Sequence, residues 1–414
     1  MRSHLAITML VIAGVGAACT RVPTDDTASS VAPTIATPAT PMASTPDVTT
    51  LDIATTTSQP LATTIVAPAG GPCTPSDYDF PRNLYPFTDR CIDLGHGAYH
   101  FVDERPIGAQ VGTVLMVHGN PTSSFLYRNV AIDLLARGYR IVMADHYGFG
   151  QSAKPALESF GYRPSDHADI LGRFVDELNL EDVTLVVQDW GGPIGLAMAA
   201  QRPERIGQIL IMNTWAWQIT PADLNGPFDA VAQWSQLNRE LGDEVADSGI
   251  IITGAVGGLT AGYPEPLATE IASAYRGPFF QPGTDELRTP LTARPTGIFA
   301  QSIFNDTKIF DTIGDLSQLD GTPVFLYFGA KDPLFGTLRP GIAGTCVEGT
   351  PTTGTEQPEC VDSEGSAVNP FVDRFSEIFG DDIVGIEIEP EGNHFVQEDF
   401  PQRVAEIIST QLAT

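Results

Sequence analysis

Six short and almost wholly apolar runs, at residues 111–118, 140–144, 183–188, 206–212, 323–329 and 383–388, alternate with amphipathic stretches at 126–137, 165–178, 192–201 and 402–412. Apolar runs this short suit strands covered on both faces, and the helical periodicity between them suits the elements that cover them. The pattern predicts an α/β fold in which a mostly parallel central sheet is flanked by helices. Between 214 and 306 the alternation fails and aromatic side chains gather, among them Trp215, Trp217, Trp234, Phe279 and Phe280. We read that interval as a helical cap inserted into a core formed by residues 73–213 and 307–414. No internal repeat is detectable.

The segment ahead of the core reads differently. Arg2, an apolar run at 5–15 and the small residues Gly16, Ala17 and Ala18 before Cys19 make residues 1–19 an export signal. The run is too short to span a bilayer. Two processing readings stand. One is a lipoprotein signal whose Cys19 becomes the lipidated N-terminus; the other is ordinary cleavage nearby, since Gly16 stands where lipoprotein signals usually have leucine. Both place the protein outside the cytoplasm, at a bacterial cell surface or secreted, and the first adds membrane attachment through Cys19. Residues 20–72 are rich in Thr, Ala, Pro and Ser and carry no aromatic side chain. Such a stretch buries too little apolar area to offset its ordering entropy, so a disordered tether is expected.

Charge narrows the partners. Lys and Arg total 22 against 51 Asp and Glu, a formal charge of 22 − 51 = −29. A surface this acidic repels phosphate backbones, which argues against nucleic acid, and it favours a neutral apolar small molecule over an anionic one. With Cys19 set aside, Cys73, Cys91, Cys346 and Cys360 remain, an even number that in an exported chain suggests disulfides. Three pairings are possible, and proximity in sequence favours Cys73 with Cys91 and Cys346 with Cys360. No Cys or His cluster has the spacing of a zinc site, so no metal is expected.

Three motifs each follow a predicted strand, and the carboxyl ends of strands are where open α/β sheets bind ligands. Gln188-Asp189-Trp190-Gly191-Gly192 joins an apolar strand to a helix that begins with glycine. That is the layout of a nucleophile elbow with a carboxylate, Asp189, as the side chain thrust into the site. Taken alone, Asp189 would serve equally well as a helix N-cap. His118-Gly119-Asn120-Pro121 follows the strand ending at Val117. Backbone N–H groups here and at Trp190 are placed to hold an oxyanion, and the Asn120 amide and Trp190 indole add side-chain donors. Taken alone, Asn120-Pro121 is also an ordinary turn. Glu391-Gly392-Asn393-His394 follows the last strand, and its histidine is a candidate general base. Asp332, in Lys331-Asp332-Pro333 after the preceding strand, is placed to orient His394, although Asp-Pro also starts turns. The order nucleophile, acid, histidine is the one this elbow fold uses.

The stretches His118-Gly-Asn-Pro-Thr-Ser-Ser-Phe-Leu-Tyr-Arg-Asn129, Asp145-His-Tyr-Gly-Phe-Gly-Gln-Ser-Ala-Lys-Pro155, Val186-Val-Gln-Asp-Trp-Gly-Gly-Pro-Ile-Gly-Leu196 and His394-Phe-Val-Gln-Glu-Asp-Phe-Pro401 resemble the haloalkane dehalogenases of the α/β-hydrolase superfamily. The resemblance runs from about Arg90 to the C-terminal region. It implies the α/β-hydrolase fold with an inserted cap, and hydrolysis of carbon–halogen bonds without a cofactor. It further implies Asp189 as nucleophile, His394 as base, Asp332 as supporting acid, and Asn120 with Trp190 as the halide-binding and oxyanion pair. Some members carry the acid after the strand that here ends near Met212. The residues that follow, Asn213-Thr-Trp-Ala-Trp217, hold no carboxylate, which leaves Asp332. The chain departs from the family in its export signal and tether, in an apparent insertion at 336–370 carrying two cysteines, and in His146 after Asp145.

Two other readings share these residues. Epoxide hydrolases use the same Asp elbow and Asp/His pair but activate the epoxide oxygen with cap tyrosines, for which Tyr263 and Tyr275 are candidates. A surface-tethered binder could keep the fold without turnover.

Overall fold

The computed structural model describes residues 70–73, 78–224, 226–255, 268–289, 291–314, 316–337 and 369–412. Its centre is a nine-stranded sheet in the order β1-β2-β3-β5-β4-β6-β7-β8-β9. The strands are β1 (Gly71–Pro72), β2 (Arg90–Asp93), β3 (Ala98–Glu104), β4 (Gly112–Val117), β5 (Tyr139–Ala144), β6 (Val183–Gln188), β7 (Ile206–Met212), β8 (Val324–Gly329) and β9 (Ile383–Glu389). From β5 through β9 every pairing is parallel, while β1 to β3 add an antiparallel edge. This is the mostly parallel sheet of an α/β-hydrolase fold. All of β6 is buried, as its mostly apolar run predicts for a strand covered on both faces.

Helices α1 (Arg128–Ala136), α2 (Pro164–Glu177) and α3 (Gly191–Gln201) connect the strands. The first begins later than its apolar pattern suggests, because Ser123 accepts a bond from the Phe125 N–H and opens a 3-10 turn, Ser124–Tyr127, ahead of it. Between β7 and β8 the longer elements are all helical: α4 (Asp229–Ser248), α5 (Ile250–Gly254), α6 (Thr269–Arg276), α7 (Arg294–Asn305) and α8 (Thr307–Ile313). Helix α9 (Pro370–Phe379) was not anticipated. Asn369 caps it by accepting from the Phe371 and Val372 N–H groups, with Pro370 at its first position. Residues 402–412, read as one helix, divide into a helix at Pro401–Glu406 and a π turn at Ile407–Gln411.

Cys73 and Cys91 form a disulfide. The loop it closes carries Phe80, stacked on Phe125 at 5.0 Å, and Tyr85, hydrogen-bonded to Ser124 at 2.6 Å. Because Gly71 and Pro72 pair with β2, the sheet begins ahead of Cys73, inside the stretch expected to be tether. Cys19, Tyr263, Cys346, Cys360, the signal at 1–19 and most of the tether and insertion lie outside the described residues. Among the described residues no helix is long and apolar enough to cross a membrane.

The edge strands escaped the sequence reading because they bury charge. On β3, Asp103 accepts two bonds from Arg140 of β5, and His100 sits between Asp145 at 2.9 Å and Asp89 at 3.1 Å. Burial opposes charge on His100, but Asp145 and Asp89 outweigh it and raise its pKa to about 9. A histidine raised in the fold stabilises fully below its unfolded pKa of 6.5, and that contribution fades as pH climbs through about 9. A shift of that size is worth on the order of 3 kcal/mol. The urea-unfolding gap between wild type and His100→Gln is therefore expected to shrink from pH 7 to pH 10; a gap that stays constant would refute a charged His100.

Candidate active site

Asp189 lies on the turn between β6 and α3, with φ of 51° and its side chain buried. A non-glycine residue in the left-handed region is strained and persists only where its surroundings hold it. They do so from three sides. Its N–H donates to the Asn213 carbonyl at 3.0 Å, and its own carbonyl accepts from the Gly192 N–H at 2.9 Å. A Cβ on Gly119 would run into the Asp189 side chain, and one on Gly191 would meet the Val117 carbonyl, so glycine is required where the two strand ends converge.

Asp189 Oδ1 accepts from the backbone N–H of Asn120 at 2.7 Å. Burial raises the Asp189 carboxyl above its ordinary range, while His394 and the backbone N–H groups of Trp190 and Asn120 pull it back toward ionisation. His394 Nε2 stands 3.7 Å from Asp189 Oδ2. On the other side of the ring, Nδ1 pairs with Asp332 Oδ2 at 2.9 Å, both side chains fully buried. Burial disfavours charge on His394, but Asp332 and then Asp189 outweigh it and raise its pKa. The second Asp332 oxygen accepts from the Leu334 N–H at 2.8 Å, which fixes the carboxylate's orientation. With Nδ1 on Asp332, Nε2 is left facing Asp189 and the Gln188 amide. The structure thus brings Asp189, Asp332, His394, Asn120 and Trp190 together at the carboxyl ends of β4, β6, β8 and β9.

The side chains of Asn120 and Trp190 are less simple than their motifs suggest. Asn120 Nδ2 donates to the Thr296 carbonyl of α7 at 3.1 Å, which uses one of its two hydrogens. Trp190 is buried edge-on against Trp215, with ring centroids 4.7 Å apart, and against Phe299 of α7 at 5.7 Å. Both residues therefore rest on the cap.

Sequence reasoning missed two neighbours. Asn213, fully buried directly after β7, donates through Nδ2 to the carbonyls of Asn393 at 2.7 Å and His394 at 3.0 Å, and its Oδ1 accepts from the Gly329 N–H at 2.8 Å. With its carbonyl on Asp189 it ties three strand ends to the histidine loop. Its position one residue past a strand was the available signal; the absence of a carboxylate turned attention away from it. Gln188 donates to the His394 carbonyl at 3.0 Å and lies 3.2 Å from His394 Nε2. As for the cap tyrosines, the Tyr275 hydroxyl is bonded to Glu398 at 2.5 Å, and Tyr263 lies outside the described residues.

Sheet order and elbow define an α/β hydrolase, and the family model for the alpha/beta hydrolase fold matches residues 112–339. A haloalkane dehalogenase of Mycolicibacterium paratuberculosis is 31% identical over 265 residues, covering 63% of this chain and 79% of that protein. This chain belongs to the haloalkane dehalogenase family. Haloalkane dehalogenase 2 of Mycobacterium tuberculosis is 43% identical over 150 residues, 36% of this chain, and the match spans only 48% of that protein. A cis-3-alkyl-4-alkyloxetan-2-one decarboxylase of Shewanella oneidensis is 34% identical over 197 residues, 47% of this chain and 59% of that protein. Among solved structures, the tetrameric haloalkane dehalogenase DpaA of Paraglaciecola agarilytica aligns with a TM-score of 0.57 at 23% identity, over 79% of this chain and 95% of that one, a likeness of fold.

Proposed function

We propose that this protein hydrolyses small, apolar haloalkanes to alcohol, halide and a proton through a covalent alkyl ester on Asp189. The observation that carries the reading is a buried carboxylate on a strained elbow, bonded to the Asn120 N–H and facing a His394–Asp332 pair. In the first step an Asp189 oxygen attacks the halogen-bearing carbon from the rear. The carbon–halogen bond breaks with its electron pair leaving on the halide, which the remaining Asn120 amide hydrogen and the Trp190 indole N–H stabilise. In the second step His394 Nε2 removes a proton from water, and the oxygen attacks the ester carbon. The tetrahedral oxyanion falls on Asp189 Oδ1, which the Asn120 N–H already holds, with the Trp190 N–H also bonded to this carboxyl group. Collapse expels the alcohol, which takes up a proton, and restores the Asp189 carboxylate. The alcohol leaves with an Asp189 oxygen that the water oxygen replaces, and His394 gives up its proton to solvent, so alcohol, halide and one proton balance the equation.

Esterification also sharpens the base. The Asp189 anion is one of the groups that raise the His394 pKa. Once it becomes a neutral ester that pull disappears, which shifts the imidazole toward the neutral form a base needs.

Neither competing reading finds support. The Tyr275 hydroxyl is committed to Glu398, away from the role an epoxide hydrolase would give it, and a mere binder has no use for a base within 3.7 Å of Asp189. The test is halide release from a panel of bromo- and chloroalkanes, run beside an epoxide and a β-lactone. The lactone belongs there because of the decarboxylase relative. Release from no haloalkane would overturn the proposal.

We further propose that the protein works outside the cytoplasm, held by lipid on Cys19 and the tether behind it. Radiolabelled palmitate is expected to enter wild type and not Cys19→Ser; equal labelling would refute the anchor.

A further inference from the structure

Two of the motifs that carry the family resemblance, one around Arg128 and one after His394, are joined by an ion pair that the chemistry above does not use. Arg128 is buried and forks both amines onto Glu398, each at 2.6 Å, while its guanidinium lies 4.2 Å from the centre of the Phe125 ring. Glu398 sits on the short helix α10 (Val396–Asp399), which begins two residues after His394. A third partner comes from the cap. Tyr275, on α6, donates its hydroxyl to Glu398 Oε2 at 2.5 Å. Its ring meets Phe125 edge-on at 5.1 Å and lies parallel to Phe395, with centroids 6.5 Å apart, and the Phe395 ring is 4.9 Å from that of His394. Tyr275 is 3% exposed, so its hydroxyl has no water to fall back on if the bond is lost.

We propose that Tyr275 is a positioning residue for His394: seating of cap helix α6 on Glu398 holds the segment that carries the base. This rests on the dehalogenase reading, in which His394 acts in ester hydrolysis and not in alkylation. A small displacement of a base slows the step that uses it far more than steps that do not. The cap would thus promote hydrolysis as well as enclose substrate.

Tyr275→Phe keeps the ring and removes only the hydroxyl. With 1-bromobutane under single-turnover conditions, it is expected to release halide at the wild-type rate and hydrolyse the ester roughly tenfold more slowly. The downfield proton resonance of His394 Nδ1–H, expected to be sharp in wild type, should broaden in the variant. Tyr78→Phe is the control for plain loosening of the cap, because the Tyr78 hydroxyl donates to the Ala274 carbonyl of the same helix. It should leave the ester rate and the resonance as in wild type. The proposal is overturned if Tyr275→Phe keeps both the ester rate and the resonance, or if the two variants change alike. Should wild type release no halide at all, the dehalogenase reading fails by itself, and the resonance alone then decides whether Tyr275 holds His394.

Discussion

Asp189→Asn is expected to release no halide from any haloalkane that wild type accepts, a loss of roughly 10⁴- to 10⁶-fold on the scale of nucleophile deletions. Asparagine is the informative replacement. Like aspartate it tolerates the left-handed backbone that the elbow imposes, so the turn, the Asn213 bond and the approach of Gly119 are retained while the anion is removed. The charge change also isolates chemistry from folding. Burial already pushes the carboxyl upward, so a neutral amide costs the fold little, and a variant with unchanged melting but no halide release assigns the loss to the reaction. Halide release that survives the substitution would remove Asp189 from the mechanism.

The second large effect separates the two half-reactions. His394→Ala should release close to one equivalent of halide per protein molecule and then stall, because alkylation needs only Asp189 and the halide donors. Ester hydrolysis should fall by about two to four orders of magnitude, the usual contribution of a positioned base. Digestion and mass spectrometry should then find the Asp189 peptide heavier by the alkyl group. An unmodified peptide after halide has been released would point to direct attack by water instead. In wild type the ester-decay rate should fall as pH drops, since only the neutral imidazole can take the proton.

Much of this site was readable because each reactive residue lies within a few positions of the end of its own strand. Asp189 follows an apolar run and precedes Gly191 and Gly192; His394 follows the last strand; Asp332 follows the one before it. Local rules suffice for such features. What was not readable depends on partners far away in sequence. His100 and Asp103 break the apolar pattern of β3, and their sense lies in Asp145, Asp89 and Arg140, up to 45 residues distant. Asn213 is unremarkable until the Asn393 and His394 carbonyls are brought to it. Tyr275, read from sequence as a possible epoxide activator, takes its meaning from Glu398, 123 residues on.

Asn213 carries one more implication. It closes a circuit among the ends of β6 and β8 and the loop after β9, so every strand from β6 onward must be in register before Asp189 and His394 face each other. Contacts of such long sequence separation make folding slow. An unfolded chain holds all the reactive residues without their arrangement: the nucleophile and its base come to face each other only once the last strand docks.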